Sequence, residues 1–142
     1  MIFLFFIVLG CPSGWSRYEN SCFKFVEVAD YWSGAQYYCE RNGGNLASIR
    51  SREENEFVES LTSRYNSYHW IGGSDAVSEG EWVWSDGSSW VYQNWLPDKP
   101  DGGRNKNCLA IDTMLHVNRP GDGKWRDWSC SQDKLFFICR KY

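Results

Sequence analysis

Six cysteines constrain this chain more than any other feature. Cys11, Cys22, Cys39, Cys108, Cys130 and Cys139 stand in 142 residues with no Cys-x-x-Cys pair among them. A zinc ribbon or a thioredoxin-like redox motif therefore has no support. The cysteines follow an apolar run, Ile2 to Leu9 of the opening MIFLFFIVLG. An even cysteine count behind such a segment predicts three disulfides formed in an oxidising compartment. Many connectivities are open to six cysteines, and the sequence alone does not choose among them.

The apolar run is too short to cross a bilayer as a helix, which takes about 20 residues. It resembles the hydrophobic stretch of a secretory signal, although no Lys or Arg precedes it. Val8 and Gly10 suit cleavage just before Cys11. Residues 1–10 are thus expected to be a signal-like segment and residues 11–142 a secreted domain without a membrane span. The length suits one domain with a sizeable core. The net charge is −3 with no long basic run, so nucleic acid is not an expected partner. Aromatic residues make up 18% of the chain, nine of them tryptophans, which predicts a core and turns pinned by large rings. The two histidines, His69 and His116, pair with no nucleophile motif, and no G-x-S-x-G, H-E-x-x-H or Walker sequence occurs. An enzyme is not expected.

Two helices are predicted early and short strands late. Asp30 is placed to cap a helix running to about Arg41, with Trp32, Ala35, Tyr38 and Cys39 on one face and Gly43-Gly44 as the stop. Ser51 and Glu54 form a capping-box pattern that opens a second helix, with Phe57, Val58 and Leu61 as its inner stripe. HWIGG, EWVWSDGSSW, CLAI, WRDWSC and LFFICRKY then read as strands between turns. Asp86-Gly87 suggests a hairpin. Residues 95–107 carry no periodicity, and so long an irregular loop is uncommon and often functional. The pattern predicts an α+β domain.

That loop, WLPDKPDGGRNKNC from 95 to 108, offers hard oxygen donors in Asp98, Asp101, Asn105 and Asn107. Calcium takes six to eight such oxygens. Lys99, Arg104 and Lys106 stand among them. At an effective dielectric near 20, a unit charge about 4 Å from a divalent cation costs roughly 8 kcal/mol. Donors and repelling charges therefore share one loop.

Trp70-Ile-Gly-Gly73, Trp82-Val-Trp84, Asn94-Trp95, the Pro-Asp at 100–101, Cys108, Trp125-Arg-Asp127 and Cys130 occur in the order and spacing of the C-type lectin domain. The resemblance spans Cys11 to Arg140, and its ordered set of motifs is highly specific. It implies the C-type lectin fold, with two helices, short antiparallel sheets and a long structured loop. It also implies the disulfides Cys11–Cys22, Cys39–Cys139 and Cys108–Cys130, the first marking the long form of the domain. The chain is similar to the small secreted lectins of fish, with which the lectin-like type II antifreeze proteins belong.

In sugar-binding members one calcium is held by oxygen ligands that also bond two sugar hydroxyls. Carried over residue by residue, Pro100 matches the family's cis-proline. Asp101 matches the second position of the galactose-type pair, and Asp127 matches the last ligand. Lys99, Lys106 and Arg126 stand where the family has oxygen ligands, and their side chains only donate. The resemblance therefore implies a degenerate site in which these cations replace the ion and pair with Asp101 and Asp127. At a second family site Asp75 and Glu79 match calcium ligands, with Asn107 a weak third and Gly102 and Lys106 replacing the others, so calcium remains a possible cofactor.

Three functions follow as expectations. The first is a recognition module in which Lys99, Pro100, Asp101, Arg104, Lys106, Arg126 and Asp127, with Trp128 as a stacking face, take a glycan or an acidic protein surface. Trp128 also suits a core position. The second is a calcium-dependent galactose-type lectin, and the third an ice-binding protein. Lectin-like domains often form homodimers.

Overall fold

The computed structural model describes residues 10–62, 64–103, 105–113 and 123–142. The apolar segment read as signal-like lies, up to Leu9, outside the described residues, as do Arg104 and His116. The elements follow as β1 (Ser16–Tyr18), β2 (Ser21–Asp30), α1 (Trp32–Arg41), β3 (Asn45–Leu46), α2 (Arg52–Leu61), β4 (Tyr68–Ser74), β5 (Val83–Trp84), β6 (Cys108–Asp112), β7 (Lys124–Trp128) and β8 (Leu135–Lys141). The main path of the sheet is β1-β2-β8-β4-β6-β7, with β3 paired to β8 and β5 to β4. The β4–β8 pairing is parallel at Trp70 and Phe137; the others are antiparallel. Among the described residues, no helix is long and apolar enough to cross a membrane.

Both faces of the central strands are buried, and period-2 alternation sorts their side chains into two cores. Leu109 and Ile111 of β6, Ile138 of β8 and Ile71 of β4 join Phe23, Val58 and Trp125 in the first. Cys108 and Ala110, Phe137 and Cys139, and Trp70 join Ala35 of α1 in the second. The three disulfides are Cys11–Cys22, Cys39–Cys139 and Cys108–Cys130, as the resemblance implied. Cys39–Cys139 ties α1 to β8, and closing a loop of that length contributes about 4.7 kcal/mol in the chain-entropy account.

Two local expectations are corrected. The N-cap of α1 is Tyr31, with no side-chain cap. Asp30 is instead the last residue of β2, and its carboxylate accepts the Tyr31 N–H at 2.7 Å. The Asp86-Gly87 turn also forms, but no hairpin follows it. β5 ends at Trp84 and pairs with β4, not with the segment after the turn. Ring packing holds that segment in place of a ladder: Trp90 stacks on Trp84 at 4.3 Å, and Trp82 meets Trp95 edge-on at 5.1 Å.

The Ser51–Glu54 pattern holds only in part. Ser51 Oγ accepts the Glu54 N–H at 3.1 Å. The Glu54 carboxylate accepts from Arg50 N at 2.8 Å and from Arg140 at 2.8 and 3.0 Å. Arg140 and Glu54 are both buried. The remaining guanidinium N–H groups reach Ser21 Oγ and the Ser48 carbonyl, so every donor of this buried cation is used. One charge pair thereby joins α2, β2, β8 and the chain after β3. Glu54→Ala leaves Arg140 buried and unpaired and is expected to destabilise the fold by about 3–5 kcal/mol, measured by urea unfolding with the disulfides intact.

His69, at the start of β4, packs edge-on to Phe25 at 5.0 Å. Burial pushes its imidazole down from 6.5 to about 4. The unfolded state then binds the extra proton first, so the contribution is whole above pH 6.5 and is lost as pH falls toward 4. The loss should be roughly 3 kcal/mol. Comparing urea midpoints at pH 7 and pH 4, His69→Phe should lose much less stability than the wild type. Equal losses would place the acid sensitivity elsewhere.

Candidate functional site

The long loop grows from β7. Leu96 N donates to the Trp125 carbonyl at 2.8 Å, and Trp125 N donates to the Asn94 carbonyl at 2.7 Å. The Trp125 indole N–H reaches Asn55 Oδ1 at 2.8 Å, and both Asn55 and Asn94 donate to the Gly123 carbonyl. At the far end the loop enters β6 at Cys108, which is bonded to Cys130 beyond β7. The loop is therefore tied at both roots to one strand and its continuation.

Its crest is tied by Asp127. This carboxylate is 0% exposed. It accepts the Asp101 N–H at 3.1 Å and the Gly102 N–H at 2.8 Å. The Lys99–Pro100 peptide bond just before them is cis, as the resemblance implied. Gly102 has φ +81°, a left-handed conformation that glycine adopts without the cost a side chain would incur. Lys99 Nζ lies 2.7 Å from Asp101 Oδ2, and Lys106 Nζ lies 3.2 Å from the same oxygen. The Lys99 and Lys106 ammonium groups hold the Asp101 carboxyl well below the usual carboxylate range.

The expected pairing of three cations with two carboxylates is thus only half formed. Lys99 and Lys106 share Asp101, whereas Asp127 is occupied by backbone. Arg126 stands apart because strand alternation turns it the other way. Trp125 and Asp127 are buried on one side of β7, and Arg126 and Trp128 belong to the other. The Arg126 guanidinium lies 4.1 Å from the centre of the Trp128 ring and 5.2 Å from that of Tyr68. It donates to the Tyr68 hydroxyl at 3.3 Å, and its Nε is buried without a hydrogen-bond partner. Trp128 stacks on Tyr68 at 5.3 Å and donates to Asp133 at 3.1 Å. It is neither fully buried nor a free stacking face. Arg126 and Trp128 help line a cleft of about 600 Å³ with Lys106, Asn105, Ser129 and Gln132.

Asp75 and Glu79 meet on the other side of the loop. Asp75 is 3% exposed. Its Oδ2 accepts the Gly80 N–H at 2.9 Å, and its Oδ1 is buried without a hydrogen-bond partner. Partial desolvation, then the neighbouring Asp75, pushes the Glu79 carboxyl upward. No group of three or more His, Cys, Asp or Glu side chains suited to a metal ion occurs among the described residues.

Tyr68 was missed from the sequence. It reaches the site because β4 pairs with β6 and β6 with β7, and no local pattern signals a contact made across three strands. Asn55 and Asn94, which support the loop from below, were also missed as part of the site.

A family model for the lectin C-type domain matches residues 28–141. The galactose-specific lectin nattectin of Thalassophryne nattereri is 45% identical over 134 residues, covering 92% of this chain and 80% of that one. A lectin of Pleurodeles waltl is 37% identical over 135 residues, covering 92% and 75%. The crystal structure of a calcium-independent type II antifreeze protein superposes with a TM-score of 0.83 at 32% identity, covering 94% of this chain and 95% of that one. These names are those of binding proteins rather than enzymes. With this match, this fold and these disulfides, the chain belongs to the C-type lectin domain family.

Proposed function

We propose that this chain is a secreted carbohydrate-recognition domain in which lysines, instead of calcium, neutralise the long loop's Asp101. The observation that carries the reading is Asp101, whose carboxylate takes both the Lys99 and the Lys106 ammonium groups. The oxygen that would face an ion faces two cations, and both Asp127 oxygens already accept backbone N–H groups. Calcium needs six to eight oxygens, and this arrangement does not fit it. At the second site Asp75 Oδ2 is taken by the Gly80 N–H, and two carboxylates alone are too few for a complete shell. On this reading residues 1–10 are a leader and residues 11–142 the domain. Three disulfides favour an oxidising destination.

Two observations keep other ligand classes in the test. Asp101 matches the galactose-type position, and one relative is named a galactose-specific lectin. A solved neighbour is a calcium-independent type II antifreeze protein, so thermal hysteresis is measured alongside sugar binding.

The thermal midpoint of the oxidised domain is expected to be the same in millimolar calcium and in EDTA. An ion bound at 100 times its dissociation constant would raise stability by about 2.7 kcal/mol, and such a rise would overturn the reading. Glycan binding should persist in EDTA; no binding to any glycan, with measurable thermal hysteresis, would favour the ice-binding alternative. The combined variant Lys99→Gln, Lys106→Glu, Arg126→Asn restores oxygen atoms at all three positions. It should gain a calcium-dependent rise in its melting midpoint that the wild type lacks.

A further inference from the structure

We propose that the cleft beside β7 is a binding site for an acidic saccharide, with Arg126 as the residue that takes its carboxylate or sulfate. The inference rests on the reading of the chain as a carbohydrate-recognition domain and names the ligand class of that face. At about 600 Å³ the cleft falls within the range of small-molecule sites. Among the described residues its lining carries two cations, Lys106 and Arg126, and no carboxylate. Neutral hydrogen-bonding side chains fill much of the rest: Asn105, Ser129 and Gln132.

Arg126 is prepared for an anion in three ways. Its guanidinium is held against the Trp128 ring at 4.1 Å, and Tyr68 stacks on that ring. Little side-chain freedom therefore remains to be lost on binding. The guanidinium is also a planar fork of N–H donors, which pairs bidentately with a planar or tetrahedral oxyanion. The fork is under-used. Among the described residues its one hydrogen bond goes to the Tyr68 hydroxyl, at 3.3 Å, and its buried Nε has no partner. No described carboxylate forms an ion pair with it. Its two Nη atoms make that single hydrogen bond between them, so N–H groups other than the buried Nε remain for an oxyanion to accept from.

Lys106 is committed differently. Its ammonium is shared with Asp101 at 3.2 Å, so it adds positive potential to the cleft rim without being a free ligand. The neutral amides and hydroxyls suit the hydroxyls of a sugar ring. An acidic peptide would offer Arg126 a carboxylate but present no ring of hydroxyls to these side chains.

Titration calorimetry in EDTA should compare 3′-sialyllactose and 6-sulfogalactose with lactose, on the wild type and on Arg126→Gln and Arg126→Lys. One or both acidic sugars should bind the wild type more tightly than lactose, and more weakly as salt rises. Arg126→Gln should weaken acidic-sugar binding on the order of 10- to 100-fold, and lactose binding by far less, consistent with the loss of a charge-assisted pair. Arg126→Lys keeps the charge but not the fork, and should recover only part of the loss. Thermal midpoints show which variants are folded. If Arg126→Gln does not fold, Arg126→Lys and quenching of tryptophan fluorescence by the acidic sugars on the wild type decide the matter. Which of the two sugars binds distinguishes carboxylate from sulfate. Equal binding of acidic and neutral sugars, or acidic-sugar binding unchanged in a folded Arg126 variant, overturns the proposal and leaves the recognition reading intact. Arg126-dependent capture of a poly-glutamate peptide with no acidic-sugar binding also overturns it. No sugar binding of any kind counts against the recognition reading itself.

Discussion

One strand carries both halves of the site, and the alternation of its side chains divides the work. Asp127 points inward and holds the crest of the long loop by two backbone N–H groups. Arg126 and Trp128, its neighbours on either side, belong to the opposite face and help build the cleft. A strand offers no other way to place adjacent residues, because successive side chains leave opposite sides. Anything that shifted β7 by one residue would bury the arginine and expose the carboxylate. The register is fixed by five pairings to β6, from Cys108 opposite Trp128 to Asp112 opposite Lys124. It is fixed again by the Trp125 indole on Asn55.

Magnitudes decide which contacts keep the loop in place. Hydrogen bonds to a buried charge contribute about 1.5–3 kcal/mol each, and Asp127 receives two of them. The Asp101 pairs are partly exposed, with side-chain exposures of 39% for Asp101 and 38% for Lys106, and such pairs add little. The lysines neutralise Asp101; the buried carboxylate, the cystine at 108–130 and the Trp125 contacts give the loop its shape.

The fold was largely legible and the site only partly. Cysteine count, helix stripes and ordered tryptophan motifs suffice for an α+β C-type lectin domain, because those signals are local or fixed by family spacing. The hairpin at Asp86-Gly87 was misjudged for a physical reason. A turn dipeptide reports local geometry, whereas Trp84 pairs with Gly73 of β4 and its ring packs on Trp90 and on the distant Trp125. The capping box hid a larger role: Glu54 stands at the right spacing for a helix start, and only the tertiary fold brings Arg140 to it. Composition around the loop correctly showed cations among carboxylates. It did not show which carboxylate each would meet. Residue type says that a lysine can pair with an aspartate; strand alternation says whether it is on the same side.

On the proposed reading, side-chain cations stand in for an ion, and that changes the chemistry this surface can offer. A bound divalent ion presents open coordination positions that accept neutral hydroxyl oxygens. Ammonium and guanidinium groups present only N–H donors, which favour acceptors carrying full charge. The two lysines spend their charge on Asp101. Arg126, aligned by Trp128 and Tyr68 and joined to no described carboxylate, keeps its own. On that reading the preference of the surface is set less by the lysines of the loop than by one arginine on the strand beneath them.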